Sequence, residues 1–223
     1  MKELMLKHED TFTPGGLLSG DAVVLNSLLV HFGEVEIIVP EYSVLECHRH
    51  GIINALNPTQ DDRFSLKITV DREYWSSNKD KHIEPLIYMA ENRVPLAKLE
   101  FPKWELAHEE YTVIQPRTTS FWASYRFVND PSVMEPYTIG KVYDISEPTE
   151  PWESTISKLA HANVYCGINS GPAWIAAAAG VPTKLWLRDY KEHPTDTGLR
   201  FVKLLVQQSN VEVIEWIERD KNK

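Results

Sequence analysis

The segment that most constrains the fold is NVYCGINSGPAWIAAAAGVPTKLWL, residues 163–187. An apolar β-type run leads into the turn Asn169-Ser170-Gly171, then into an alanine-rich run that stops at Gly180 before a second β-type run. The proline after the turn fits the first turn of a helix, and the glycine fits its end. The order predicts a strand, a helix and a second strand, with the start of the helix at the edge of a parallel sheet.

The turn before this helix is a candidate phosphate site. The backbone N–H groups at Ser170 and Gly171 precede the first helical hydrogen bonds, and the N-terminus of a helix attracts anions. The small alanine side chains let the helix backbone lie close against a sheet. The alternative is simple packing, because buried crossover helices in α/β proteins can have the same composition.

The N-terminal part has a second pattern of this kind. We predict a strand at residues 3–7, a loop at 12–21, an apolar helix at 22–32 that Gly33 ends, and a buried strand at 35–39. Such a βαβ unit places ligands at the carboxyl ends of its strands.

Two domains are expected, residues 1–104 and residues 105–223, because the pattern dissolves around residues 98–110 into a charged linker. The other expected elements are a helix at 43–50, strand or helix pieces at 64–70 and 85–89, strands at 111–115 and 142–145, helices at 151–162 and 197–208, and a closing strand or helix at 211–216.

Charge and composition limit the class of protein. The net charge of −9, from 32 acidic and 23 basic side chains, opposes non-specific attraction to nucleic acid or anionic membranes. Neither an apolar run of about 18 residues nor a secretory signal is evident, so we expect a cytoplasmic protein. Cys47 and Cys166 are too few for a disulfide framework, and we expect both to be reduced and buried.

Specific motifs resemble a known family. The order DIS at residues 144–146, a proline-containing loop, a helix ending SKLAHA, and then residues 163–187 resembles the C-terminal, nucleotide-sugar half of the heptosyltransferase-like glycosyltransferases. In that family a strand leads into a D/N-S/T-G turn, an A-A-A-x-G helix, x-P and another strand. The G-x-x-S-G-D sequence at residues 16–21 resembles the family's first loop.

The resemblance implies an α/β fold with two Rossmann-like domains facing a cleft, the B-type glycosyltransferase architecture, in a compact version. It implies metal-independent transfer of a sugar from a nucleotide-sugar to an acceptor hydroxyl, with no cofactor besides that co-substrate. The acceptor would be a glycan or, less in keeping with the charge, a modified DNA base. Asp21 would be the base that accepts the hydroxyl proton, with Ser19 and Gly20 on the acceptor side. The alternative for Asp21 is a helix cap.

A cation is also expected beside the departing diphosphate. Arg117 follows the predicted strand at 111–115, and a guanidinium there would grip phosphate with two hydrogen bonds. Arg126 is a second candidate, and for both the alternative is a solvated or ion-paired side chain. Glu147 and Glu150 are candidates to bind a ribose or sugar hydroxyl, or are solvated loop charges. The expected donor-binding residues are Asn169, Ser170, Gly171, Arg117, Gln115, Arg126 and Glu147.

The sequence also bears on other functions. His48 and His50 lie on different faces of a predicted helix, and Asp61-Asp62 lacks D-x-D spacing, so we expect no metal. No G-x-G-x-x-G follows the first predicted strand, which argues against a dinucleotide dehydrogenase. The alternatives left open are a non-catalytic nucleotide or nucleotide-sugar binding module, and a nucleotide-sugar epimerase or hydrolase.

Overall fold

Two parallel β-sheets organise the described part of the 223-residue chain. The computed structural model describes residues 2–5, 19–39, 65–70, 89, 92–99, 109–118, 128–147, 149–188, 202 and 204–216. The chain divides into two units, Met1–Lys98 and Leu99–Lys223, and each sheet lies within one of them. The protein is therefore mixed α/β, as expected, while the arrangement of the two expected domains about a cleft stays a proposal.

The first sheet has three parallel strands, which lie side by side in the order in which they occur in the chain. Gly33 follows the helix in this unit with a φ of 75°, a conformation that suits glycine at a helix C-terminus. The predicted βαβ pattern is confirmed, and the segment at residues 64–70 is a strand. The elements are β1 (Lys2–Met5), α1 (Ser19–Phe32), β2 (Glu34–Val39) and β3 (Ser65–Val70).

Helix α1 starts earlier than the sequence pattern predicts. It begins at Ser19 rather than at residue 22, so Asp21 lies inside the first turn and not at the cap. On its buried face, the Ser27 hydroxyl donates to the Val23 carbonyl at 2.8 Å and accepts from the Ala97 N–H at 2.9 Å.

The second sheet has five parallel strands, which lie in the order β5 (Lys141–Asp144), β4 (Tyr111–Gln115), β6 (Val164–Ile168), β7 (Thr183–Arg188) and β8 (Val211–Trp216). Among these five strands, β4 comes first in the chain. Strand β5 pairs with one side of β4, and β6, β7 and β8 follow on its other side. The direction in which successive strands are added to the sheet therefore reverses at the pair β4 and β6. Helices α2 (Trp152–His161) and α3 (Gly171–Ala178) come before and after β6 in the chain.

These elements confirm most of the predictions for this unit. The predicted strand at 111–115, the helix at 151–162 and the unit at 163–187 appear within two residues of their expected ends. The strand expected at 142–145 begins one residue earlier, and the closing segment is a strand. Residues 202 and 204–206 are helical, in agreement with the helix expected at 197–208. Outside the described residues lie the helix expected at 43–50 and nearly all of the segment at 85–89.

A 3₁₀ helix, Pro131–Tyr137, lies in the connection from β4 to β5 and was not predicted. The Asp130 side chain accepts the Ser132 N–H at 3.1 Å at its start, and Pro136 inside it is incompatible with a continuous α-helix. Met134, which is buried, packs against one face of the sheet beside Cys166. Cys166 is buried and in no disulfide, as expected; Cys47 lies outside the described residues.

Helix α3 is buried along nearly its whole length and fully bonded at its C-terminus. Seven of its residues, from Pro172 to Ala178, are buried, so the alanine-rich sequence brings its backbone close to its neighbours. After the helix, Gly180 has a φ of 82°, which forms a Schellman ending. The last four carbonyls, those of Ile175, Ala176, Ala177 and Ala178, accept the N–H groups of Ala179, Val181, Gly180 and Leu99, and the Asn210 side chain also donates to Ala177.

Among the helices that the structure describes, none combines the length and the apolar character needed to cross a membrane.

Two glycines with positive φ allow a matched test of backbone packing. A Cβ on Gly140, with φ of 63°, would lie 1.9 Å from the Glu110 carbonyl oxygen, whereas a Cβ on Gly180 would meet nothing within 4 Å. We expect Gly180→Ala to lower the free energy of unfolding by about 1–2 kcal/mol, the cost of a left-handed alanine. Gly140→Ala should cost about 1–3 kcal/mol more because the backbone must also move. Urea unfolding of both variants measures this, and equal losses would contradict the role assigned to the close approach.

Candidate functional site

The carboxyl ends of β4 and β6 form the candidate site. Gln115, the last residue of β4, lies opposite Gly167 near the end of β6. The connections after these two strands leave toward opposite sides of the sheet, and such a point opens a crevice in which α/β proteins bind ligands. The sheet brings the predicted donor-binding residues Gln115, Arg117, Asn169, Ser170 and Gly171 to this one edge.

Three side chains from separate positions in this unit meet through hydrogen bonds. The Oε1 atom of Gln115 accepts the hydroxyl of Tyr165 at 3.0 Å and also the hydroxyl of Ser170. Gln115 is 5% exposed and Tyr165 is fully buried. The network therefore joins the end of β4, the second residue of β6 and the start of α3.

Tyr165 was not among the residues predicted from the sequence. The sequence signal that could have indicated it is the pair Tyr165 and Gly167. They lie on the same face of a strand because they are two residues apart. A Cβ on Gly167 would lie 2.4 Å from the Tyr165 hydroxyl oxygen and 3.0 Å from the Gln115 carbonyl oxygen. Glycine at this position leaves the space through which the tyrosine reaches Gln115.

Ser170 occupies the N-cap position of α3 without acting as a cap. Its backbone is extended, with φ of −152° and ψ of 170°, and its side chain makes no capping hydrogen bond. Serine is among the residues most favoured at this position because its oxygen accepts a helix N–H. Here the hydroxyl donates to Gln115 instead. The first turn of α3 thus keeps its positive partial charge, at the carboxyl edge of the sheet, without a side-chain acceptor.

Arg117 lies next to the loop that follows β5. Its backbone N–H donates to the Ser146 hydroxyl at 3.2 Å, and the Ser146 N–H in turn donates to the Asp144 carboxylate at 2.8 Å. The Arg117 side chain is exposed, and its guanidinium makes no ion pair with any residue in the described ranges. Glu147 is exposed on the same loop. Both predicted residues therefore lie at the carboxyl edge of the sheet, Arg117 after β4, which pairs with β6, and Glu147 after β5, one strand further from β6.

Glu150 lies just before α2 and interacts with side chains of that helix. Its carboxylate pairs with the Lys158 ammonium and accepts the Ser154 hydroxyl at 2.9 Å. Burial favours the neutral acid, but the hydrogen bonds from Lys158, Ser154 and Thr155 prevail and lower the pKa of Glu150. This carboxylate is thus ion-paired, unlike either of the roles considered from the sequence.

The predicted acceptor-side residues lie in the other unit. Ser19, Gly20 and Asp21 form the first turn of α1. Since α1 follows β1 in a parallel βαβ unit, its N-terminus lies at the carboxyl edge of the three-stranded sheet. The remaining candidates that fall outside the described residues are Arg126, His48, His50, Asp61 and Asp62.

In the portion of the chain that the structure describes, no group of three or more His, Cys, Asp or Glu side chains is arranged to hold a metal ion.

Comparisons with known proteins give a distant structural likeness. No protein-family model matches the sequence, and no curated protein sequence matches it. The chain is similar in structure to the bacterial iron-containing dodecameric glycosyltransferase TibC from enterotoxigenic E. coli H10407, at 12% identity and a TM-score of 0.46. It is similar to the dodecameric iron-containing heptosyltransferase TibC in complex with ADP-D-beta-D-heptose, at 11% identity and the same TM-score. Each match covers 82% of this chain, and the chain spans 57% of the length of these neighbours.

The ion pair at Glu150 predicts a specific acid sensitivity. Because the pKa of Glu150 is below its ordinary value of 4.5 in the folded protein, the pair stabilises the fold above that pH, and the stability is lost as the pH falls through the lowered pKa. We expect the difference in free energy of unfolding between wild type and Glu150→Gln to shrink on acidification below about pH 4.5. Urea unfolding at a series of pH values measures it. Glu147→Gln, on the same loop and exposed, is the control, and an equal pH dependence in both variants would disprove the assignment.

Proposed function

We propose that this protein is a glycosyltransferase that binds a nucleotide-sugar at the carboxyl ends of β4 and β6. The observation that carries the proposal is the coincidence of three features at one place: the point where the chain reverses across the sheet, the N-terminus of α3, and a serine that leaves this N-terminus uncapped. A helix N-terminus at such a point is suited to a diphosphate. The sequence resemblance to heptosyltransferase-like glycosyltransferases supports the choice of a sugar as the transferred group.

The charge requirement of the reaction supports the same site. Breaking the bond between a sugar and a nucleoside diphosphate leaves negative charge on the phosphate oxygens, and positive groups that are already in place lower the barrier. The dipole of α3 supplies a fixed partial charge, and Arg117 supplies a full one on an exposed side chain. We propose that these two groups stabilise the leaving diphosphate and that transfer needs no metal ion.

The transfer step that we propose is a direct displacement. The carboxylate of Asp21 accepts the proton of the acceptor hydroxyl while the hydroxyl oxygen forms a bond to the anomeric carbon. The bond from that carbon to the diphosphate breaks, and its electron pair leaves with the diphosphate. A single displacement of this kind inverts the configuration at the anomeric carbon.

For the acceptor we propose a glycan. The alternative, a modified base in DNA, is opposed by the net charge of −9, since a protein attracts DNA chiefly through positive charge on its surface. We further propose that residues 1–104 supply the acceptor side and residues 105–223 the donor side, in two Rossmann-like domains.

A nucleotide-binding module without transferase activity is the second candidate. It is favoured by one observation: Gln115, Arg117, Ser170 and Gly171 all belong to the unit Leu99–Lys223. Incubation with a nucleotide-sugar separates the candidates. A module binds without turnover, a transferase forms product only with an acceptor, and an epimerase or hydrolase forms product without one.

The donor site predicts which substitutions weaken nucleotide binding. Gly171→Val should block close approach of phosphates to the α3 backbone, and Arg117→Ala should cost about 1.5–3 kcal/mol of binding free energy, the range for a charged hydrogen bond. Thermal shifts with ADP, GDP, UDP and CDP identify the nucleotide, because a ligand of the native state raises its melting temperature. Calorimetry then gives the affinities.

The control for charge alone is Lys141→Ala, which removes one exposed cation. Lys141 is the first residue of β5, so it lies at the amino ends of the strands, away from the proposed site at their carboxyl ends. We expect its nucleotide affinity to equal that of the wild type. Unchanged affinity in both Gly171→Val and Arg117→Ala would refute the donor site.

The proposed base predicts a loss of rate without a loss of donor binding. Asp21→Asn keeps the size of the side chain and removes the proton acceptor, so turnover should fall by roughly 10²–10⁴ while donor affinity stays the same. If Asp21 only stabilises the first turn of α1, the variant loses about 0.3–1 kcal/mol of stability and keeps its rate. Product formation with the identified donor distinguishes the two, and turnover at the wild-type rate would end the catalytic assignment.

A further inference from the structure

We propose that Tyr165 is a positioning residue for the nucleotide site, which holds the Gln115 amide so that its Nε2 group donates to a phosphate oxygen of the ligand. The inference rests on the proposed donor site and adds a residue that acts through another, without itself touching the ligand. It also assigns to Gln115 a defined role, that of a hydrogen-bond donor.

The first step is the hydrogen-bonding capacity of Gln115. An amide oxygen has two lone pairs, and here one receives the Tyr165 hydroxyl at 3.0 Å and the other the Ser170 hydroxyl. The Nε2 group carries two N–H donors, and it makes no hydrogen bond to a residue in the described ranges. The capacity that remains in this side chain is therefore that of a donor. A phosphate oxygen, which only accepts, is the complementary ligand atom.

The second step concerns the direction of the tyrosine hydrogen bond. Tyr165 is fully buried, and burial raises the pKa of its hydroxyl well above the ordinary value. The hydroxyl keeps its proton at neutral pH and must donate it, because an unpaired buried hydroxyl is costly. A hydroxyl that donates requires the oxygen of the amide, which turns the nitrogen of Gln115 away from the buried network.

The third step is the space that the sequence provides for this contact. Gly167, between Tyr165 and the end of β6, is the position at which a Cβ would lie 2.4 Å from the tyrosine hydroxyl oxygen. The tyrosine hydroxyl, the glycine and the glutamine backbone thus lie against one another at the carboxyl ends of β4 and β6. Small changes in the tyrosine would be transmitted to the amide, since the surroundings are closely packed.

The test is Tyr165→Phe, which removes one oxygen and leaves the ring. We expect Tyr165→Phe to raise the dissociation constant about tenfold, which corresponds to about 1.4 kcal/mol of binding free energy. The ligand is whichever of ADP, GDP, UDP and CDP the wild type binds most tightly. The matched control is Tyr111→Phe. Tyr111 is also buried, and its hydroxyl donates at 3.0 Å to the Lys158 carbonyl, at the opposite end of β4 from Gln115. This variant should lose stability and keep the wild-type affinity.

A double-mutant cycle shows whether the tyrosine acts through the glutamine. If it does, Tyr165→Phe adds no further loss of affinity in a Gln115→Ala background, whereas independent effects add. Additive losses would overturn the proposal. Gln115→Glu provides a second measurement that does not depend on Tyr165: it replaces the donor with an acceptor, and we expect loss of diphosphate binding of at least tenfold.

The outcomes separate this inference from the proposed function. If the wild type binds none of the four nucleotides, the donor site itself is wrong, and the role of Tyr165 falls with it. If the wild type binds but folded Tyr165→Phe or Gln115→Glu binds equally well, the donor site stands and this inference is wrong.

Discussion

The pairing of β4 with β6 is the constraint on which the second unit depends. These two parallel strands are adjacent in the sheet although β5 lies between them in the chain. Their pairing forces the connections that follow them to opposite sides, which opens the edge of the sheet at Gln115 and Asn169. The proposed site is thus a consequence of strand order, because α/β proteins bind ligands where the strand order of a parallel sheet reverses.

Local signals explain why so much of this fold could be predicted. The turn at Asn169-Ser170-Gly171, the alanine run and Gly180 specify a strand, a helix and a strand within 25 residues of sequence, and each acts on its immediate neighbours. Parallel strands buried on both faces are apolar throughout, so β6 was also evident. The same reasoning placed Gln115 and Arg117 at the edge, since strand ends were predictable even where strand order was not.

Contacts between distant residues explain what could not be predicted. The two hydrogen bonds to Gln115 span 50 and 55 residues of sequence, and no local pattern encodes them. Ser170 has the sequence signature of a helix cap, yet a partner from another strand takes its hydroxyl. The 3₁₀ helix Pro131–Tyr137 has a different cause, since it depends on a local hydrogen bond from Ser132 to Asp130 and on Pro136. Such local effects are small, and amino-acid composition alone does not show which of them prevails.

The two ends of α3 differ in a way that has a mechanical consequence. Its last four carbonyls are all bonded, one of them to Leu99 and one to the Asn210 side chain as well as to its own turn. Its first turn lacks a side-chain cap. The backbone of α3 is consequently fixed by hydrogen bonds at its C-terminus, whereas its N-terminus has no side-chain cap. An anion received at the open end would meet backbone dipoles that are already aligned, so little reorganisation would accompany its arrival.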